Sequence, residues 1–163
     1  MKKSVLIFLI LPFISCSLFT NENDGLEQAV QRWEESKNSN YEFDYHVGCF
    51  CVAHTPAKII VLADTIYQVL NPDTRDSLMI EVDENTFKYA GEVFKDSYKT
   101  IDELFDVIRD ARKRNAHTVS AEYNSENGIP ESISIDYIKE AADDEIGYTV
   151  SNYMDYVVRH QGK

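Results

Sequence analysis

Four side chains that can bind soft metals or carry out thiol chemistry lie within nine residues of one another. They are His46, Cys49, Cys51 and His54, in the spacing H-x2-C-x-C-x2-H. Imidazole and thiolate ligands of this kind suit Cu(I) or Zn²⁺. The same two cysteines also permit a disulfide or a redox-active dithiol. Three kinds of chemistry are therefore open for this stretch: a structural disulfide, a thiol–disulfide pair and a metal site.

Residues 41–51, which carry the cysteines, alternate between apolar and polar types, as is typical of a strand. The apolar row consists of Tyr41, Phe43, Tyr45, Val47, Cys49 and Cys51. Both His46 and His54 fall in the opposite row. An undistorted strand therefore cannot bring the histidines and the cysteines together, and a metal site would require a sharp turn at Gly48.

A disulfide between Cys49 and Cys51 is the interpretation that this spacing favours in an oxidising compartment. Residues i and i+2 of a strand have Cα atoms about 6.5–7 Å apart, at the limit that a disulfide tolerates. A bulge at Gly48 would shorten that distance. So short a ring contributes only about 1.5 kcal/mol before strain, and strain makes the bond easier to reduce. We therefore predict a disulfide that adds little stability.

The amino terminus has the parts of a bacterial secretory signal. Lys2 and Lys3 precede an apolar run over residues 5–14, which is shorter than the roughly 20 residues of a spanning helix. Phe13-Ile14-Ser15-Cys16 resembles the lipobox of bacterial lipoproteins, in which the peptide is cut before the cysteine and acyl chains are attached to it. More than one acyl chain gives stable membrane anchoring. The alternative is an ordinary signal peptide with Cys16 near its cleavage site.

These features predict the organisation of the whole chain. We expect a signal peptide over residues 1–15, a lipidated tether over 16–23, one domain over 24–158 and a tail over 159–163. The protein would then lie at the bacterial cell envelope, held to the membrane by its amino-terminal lipid. Ser17 resembles the signal for the periplasmic face of the outer membrane in bacteria that have two membranes.

Charge and motifs exclude several classes of function. The formal net charge is −12, and it becomes −14 when Lys2 and Lys3 leave with the signal peptide. So acidic a chain is repelled by nucleic acid and by anionic lipid headgroups. The sequence contains neither a G-x-S-x-G elbow nor a glycine-rich phosphate loop. We predict no catalytic residue and no cofactor, and the sequence does not identify a protein or small-molecule partner.

A group of carboxylates precedes the last predicted strand. It consists of Asp136, Glu140, Asp143, Asp144 and Glu145. Carboxylate oxygens bind Ca²⁺, but the spacing lacks the pattern of a dedicated calcium loop. We interpret the group as a solvated connection, with Asp136 hydrogen-bonded to neighbouring backbone. His117 is predicted to be an ordinary surface residue.

The elements around these residues predict the fold class. One helix is expected over residues 24–36, capped by Asp24 and Glu27, with Trp33 as a core anchor. A second begins at the capping box Thr100-Ile101-Asp102-Glu103. Strands are predicted at residues 41–51, 58–63, 66–70, 118–123, 133–137 and 148–158.

Residues 77–99 contain one short alternating run followed by what reads as an irregular surface excursion. The fold predicted is α+β: an antiparallel sheet of five to seven strands, with two main helices packed on one face.

Several motifs resemble those of an uncharacterised family of bacterial secreted and lipid-anchored domains. They are Asn40-Tyr41-x-Phe43-x-Tyr45 with Cys49-Phe50-Cys51, Tyr98-x-Thr100-Ile101-Asp102-x-Leu104-Phe105, Ile133-x-Ile135-Asp136-Tyr137-Ile138, Asp143-Asp144-Glu145 and Tyr148-Thr149-Val150. The resemblance spans roughly residues 33–153. It departs from the family pattern at residues 71–99, where the loop is longer than usual. Because that family is classed as a domain of unknown function, the resemblance implies no activity.

Overall fold

A computed structural model describes residues 25–49, 56–141 and 143–156 of the chain. The described part is mostly β-structure with some helices. The helices are α1 (Leu26–Ser36), α2 (Ala90–Val93) and α3 (Ile101–Lys113), with a 3₁₀ turn at Lys95–Ser97. The strands are β1 (Tyr41–Cys49), β2 (Ala57–Leu62), β3 (Thr65–Leu70), β4 (Met79–Asp83), β5 (Thr86–Tyr89), β6 (Thr118–Tyr123), β7 (Pro130–Asp136) and β8 (Ile146–Asp155). In the described part of the chain, no helix has the length and apolar character of a membrane span.

Six of the strands form one sheet in the order β3-β2-β1-β8-β7-β6. Every neighbouring pair in it is antiparallel. Most neighbours follow one another along the chain, but β1 also pairs with β8, which joins the two ends of the domain at the middle of the sheet. The predicted antiparallel sheet of five to seven strands is confirmed.

The side of β1 that carries the apolar row faces the core, as the alternation predicts. Tyr41, Phe43 and Tyr45 are almost completely buried, and Val47 is buried too. The rings of Tyr41 and Phe43 stack with centroids 5.9 Å apart, and Phe43 meets Tyr45 edge to face at 6.3 Å. Aromatic pairs of this geometry stabilise a core beyond the area that they bury.

Tyr41 connects this aromatic row to both long helices. The indole of Trp33, on α1, packs edge to face against the Tyr41 ring with centroids 5.5 Å apart. The Tyr41 hydroxyl accepts a hydrogen bond from the backbone N–H of Ile101, the first residue of α3 (3.3 Å). That N–H belongs to the first turn of the helix, where no intrahelical acceptor exists. Burial of the hydroxyl raises the pKa of Tyr41, so the phenol stays protonated at neutral pH.

Helix α3 begins at the capping box that the sequence predicts. The Thr100 hydroxyl accepts from the N–H of Glu103 (3.2 Å), and the Glu103 carboxylate accepts from the N–H of Thr100 (2.7 Å). The apolar stripe of the helix is buried: Ile101, Leu104, Phe105, Ile108 and Ala111. Local sequence therefore determines both where this helix starts and which side faces the core.

The start of α1 differs from the prediction. The N-cap is Gly25, at φ 81°, and no side chain caps the helix. Asp24, the predicted cap, lies outside the described residues. A glycine accepts a left-handed conformation without the steric cost that a Cβ would bring. Trp33 is fully buried, as predicted.

The short alternating run after Ser77 is strand β4, as predicted, but the irregular excursion expected after that run was wrong. Strands β4 and β5 form a separate two-stranded sheet, followed by α2 and the 3₁₀ turn. The turn uses Asn85 at φ 57°, a conformation that asparagine tolerates. The hairpin lies against the edge of β3, where the N–H of Val69 donates to the Tyr89 hydroxyl (2.6 Å) and the Val69 carbonyl accepts from the N–H of Leu78 (3.0 Å).

The turn between β6 and β7 packs closely against α1. Gly128 has φ 77°, and a Cβ at this position would lie 2.0 Å from the backbone oxygen of Ala29. Both the conformation and the contact therefore require glycine.

We predict that Tyr41→Phe lowers the free energy of unfolding by about 1 kcal/mol, because the N–H of Ile101 loses its acceptor inside the protein. Chemical denaturation measures the change. Tyr67→Phe, at a side chain that is 62% exposed, is the matched control and should leave stability unchanged. Equal stability of the Tyr41 variant and the parent would contradict the proposed role of this hydroxyl.

Candidate functional site

His46 and Cys49, the two described members of the predicted metal or thiol group, lie on opposite sides of β1. His46 is exposed, whereas Cys49 is half-buried and packs against the core. Cys51 and His54 lie outside the described residues, so the predicted disulfide and metal site both remain predictions. The described part of the chain contains no group of three or more His, Cys, Asp or Glu side chains placed to hold a metal ion.

The predicted acidic group is divided between two places. Asp136 ends β7, and its carboxylate accepts from the N–H of Ile138 (3.1 Å), which confirms the predicted bond to neighbouring backbone. Asp143, Asp144 and Glu145 lie together just before β8. His117 is exposed, as expected for a surface residue.

A network of charged side chains lies on the side of β1 opposite the aromatic row. The Glu42 carboxylate is only 4% exposed and receives both arms of the Arg75 guanidinium, each at 2.8 Å. Beside it the ammonium group of Lys58 pairs with the Asp44 carboxylate and lies 4.0 Å from Glu42. Paired charges of opposite sign explain how Glu42 and Lys58 are both buried in a sheet.

The same network extends to β8 and to the loop after β3. Asn152, at φ 52° beside an irregularity in the β1–β8 pairing, donates its amide to Asp44 (2.6 Å). Arg75 is also left-handed, at φ 62°. Asparagine accepts this conformation more readily than arginine does. At Arg75 the bidentate hydrogen bonds to Glu42 offset the steric cost of the left-handed conformation.

The hydrogen bonds from Arg75 hold the pKa of the Glu42 carboxyl below its usual value, although burial acts in the opposite direction. The same contact raises the pKa of Arg75. Sequence reasoning missed this network. Glu42 and Asp44 appear only as the polar residues of an alternating strand, and no local signal connects Arg75 with a strand 33 residues earlier.

Near one end of the sheet, two neighbouring glycines leave the exposed side of β1 and β8 without side chains. Gly48 pairs directly with Gly147, and Gly147 pairs in turn with Ser134 on β7. A cavity of about 320 Å³ lies over these residues, and the carboxylate residues Asp143 and Glu145 are on its rim. We call this cavity the glycine cleft.

Neither glycine of the cleft is required by the protein's own backbone or packing. Both have ordinary negative φ values, and a Cβ on Gly48 would approach only the His46 ring, at 3.9 Å. A Cβ on Gly147 would make an ordinary contact with the oxygen of Ile133, at 3.5 Å. Glycine inside a strand lowers its stability and is often found where a ligand or another backbone approaches closely.

The chemistry available in the glycine cleft is that of recognition. Its floor includes the backbone of the two glycines, and the rest of its lining consists of Ser134, Cys49, Ile146 and the two carboxylate residues on the rim. Both oxygens of the neighbouring Asp144 carboxylate are buried and lack a hydrogen-bond partner. The exposed carboxylates of Asp143 and Glu145 make the rim negative, which favours a cationic group over an anion.

We predict that Glu42→Gln lowers the free energy of unfolding at pH 7 by about 1 kcal/mol, a modest value because Arg75 is half exposed. A lowered pKa stabilises the fold above the pKa of the unfolded chain, and this stabilisation disappears as pH falls through the folded pKa. The difference between parent and variant should therefore shrink from pH 5 to pH 2, as the parent becomes protonated. Denaturation curves across that range measure it.

The matched control for this experiment is Asp106→Asn. The Asp106 carboxylate is 76% exposed and lies 3.4 Å from Arg109, so its replacement should change stability by no more than a few tenths of a kcal/mol. A constant difference between Glu42→Gln and the parent at all pH values would show that the ion pair is not responsible.

We predict that Cys49 and Cys51 resist alkylation in the native protein until a reductant is added, because they form a disulfide. Intact mass after alkylation without reductant counts the free thiols. A parallel sample reduced before alkylation should gain two labels on these residues. Two labels without reductant would contradict the disulfide.

Comparison with known proteins adds one assignment. No curated protein and no solved structure matches the chain. Residues 25–155 match a family of unknown function (DUF6174). The matched range begins next to α1 and ends at the last residue of β8, so it includes the whole sheet, the charged network and the glycine cleft. The chain therefore belongs to this family of unknown function.

Proposed function

We propose that this chain is a lipid-anchored protein of the bacterial envelope whose domain acts as a non-catalytic binding or structural module. The observation that supports the anchor is the order of features at the amino terminus. Lys2 and Lys3, the apolar run over residues 5–14 and Cys16 follow one another as in a lipoprotein signal. The first helix begins at Leu26, so the predicted cleavage before Cys16 leaves every described helix and strand intact.

The proposed anchor limits where the domain can work. Nine residues separate Cys16 from Leu26, and nine fully extended residues span at most about 30 Å. The domain would therefore remain within a few nanometres of the bilayer surface. Its net charge of −14 after cleavage opposes adsorption to anionic headgroups, which leaves its surfaces available to other partners.

Recognition is the function that the described surface supports best. The exposed side of β1, β7 and β8 carries the glycine cleft, which offers a backbone floor and acceptor groups at its rim. Its lining includes the Ser134 hydroxyl and the carboxylates of Asp143 and Glu145, groups that can hold a ligand by hydrogen bonds and charge. We assign the domain to binding without chemical conversion of the bound group.

We also propose that α1 and α3 cover the same face of the sheet. Both helices contact Tyr41, α1 through Trp33 and α3 through the N–H of Ile101. Phe105, on α3, stacks on Tyr123 of β6 with centroids 6.2 Å apart. These contacts join the helices to strands at the middle and at one edge of the sheet, and they leave the polar side of β1 for recognition.

We predict that cells grown with labelled palmitate incorporate the label into this protein, and that Cys16→Ser abolishes the labelling. The variant should also move from the membrane fraction to the soluble fraction, because acyl chains supply the membrane affinity. Cys49→Ser is the control, and it should remain labelled. An unlabelled, soluble parent protein would overturn the proposed anchor while leaving the fold unaffected.

A further inference from the structure

We infer that the glycine cleft binds an arginine side chain presented by a partner protein. This inference rests on the proposed binding role, and it is independent of the lipid anchor. The floor and the rim of the cleft each restrict the chemistry of the group that fits.

The floor favours a flat group. Gly48 and Gly147 are direct partners across β1 and β8, so the peptide backbone of two strands is uncovered at one place. Among the described residues, the nearest atoms to a Cβ added at these positions lie at 3.9 Å and 3.5 Å, which are ordinary van der Waals distances. A planar group can lie on this surface, whereas a compact tetrahedral ammonium makes less contact with it. Side chains at these two positions would prevent that approach.

The rim favours a positive charge with several donors. Asp143 and Glu145 line the cavity, and both are exposed. The buried Asp144 carboxylate between them in the sequence has no hydrogen-bond partner. Lys58 is a basic side chain on this side of the sheet, and it is already paired with Asp44. The cleft therefore has acceptors and negative charge that no described cation neutralises.

A guanidinium group satisfies both requirements. It is planar, permanently charged and weakly hydrated, and its donors form a rigid fork that matches carboxylates. The protein already uses this geometry elsewhere on the same side of β1, where Arg75 binds Glu42 with both arms. A lysine ammonium matches the charge of the rim but not the flat floor. A metal ion would need at least three converging ligands, and the described residues provide no such group.

The test uses the purified full chain in a non-ionic detergent and three peptides, Ac-Gly-Gly-X-Gly-Gly-NH₂, in which X is arginine, lysine or citrulline. Citrulline keeps the shape of arginine and removes its charge. Backbone amide shifts of Gly48 and Gly147 report binding. We expect the arginine peptide to bind at least about tenfold more tightly than the citrulline peptide, and more tightly than the lysine peptide, because charge-assisted hydrogen bonds are lost or rearranged.

Two variants and their controls test the location. Gly147→Val should reduce arginine-peptide binding at least about tenfold and should not lower thermal stability, because its Cβ makes only ordinary van der Waals contacts and valine favours strands. Thr149→Val, on the same exposed side of β8, should retain binding. Glu145→Gln should weaken binding without filling the floor, whereas Glu131→Gln, an exposed carboxylate on β7, should not.

Several outcomes would overturn the inference. They are equal binding of the arginine and citrulline peptides, shifts that avoid Gly48 and Gly147, undiminished binding to both Gly147→Val and Glu145→Gln, or no binding of any peptide. Preference for the lysine peptide would replace the arginine assignment with a simple charge preference. Each of these results leaves the palmitate experiment unaffected, so failure of the cleft and failure of the anchor can be distinguished.

Discussion

The burial of Tyr41 is the constraint on which most of the described fold depends. Its ring lies between Trp33 of α1 and Phe43 of the same strand, and its hydroxyl accepts the first N–H of α3. One side chain thus joins two helices that are separated by more than 60 residues in the sequence. The N–H of Ile101 must find its acceptor at the same buried position where the Tyr41 ring must pack. The relative positions of the strand and the two helices are therefore closely determined.

The opposite side of β1 uses a different means of stabilisation. Glu42 and Lys58 are buried there, and each is paired with an opposite charge. Removing either partner would leave an uncompensated charge away from water, so the pairs make the position of the loop around Arg75 specific. The strand therefore separates an apolar core from a polar surface, and Gly48 and Gly147 leave backbone without side chains at one place on that surface.

Sequence reasoning succeeded where the signal is local. The apolar alternation of β1 and the capping box at Thr100 both involve residues within a few positions of one another, and the structure confirms them. It failed where distant segments meet. Nothing near Gly147 indicates that Gly48 lies opposite, because register depends on the whole sheet. The sequence indicates the short run of β4 but not its pairing with β5, because the hairpin also depends on contacts with β3, through Tyr89.

The two outer strands of the sheet differ in a way that limits self-association. Val69 on β3 already uses both of its outward backbone groups, with Tyr89 and Leu78, so a foreign strand must first displace that hairpin. Among the described residues no strand flanks the outer side of β6. Among the described strands, β6 is therefore the edge through which one copy could extend the sheet of another. Such contacts close on themselves as two-fold pairs, and the end protected by the hairpin stops filament growth.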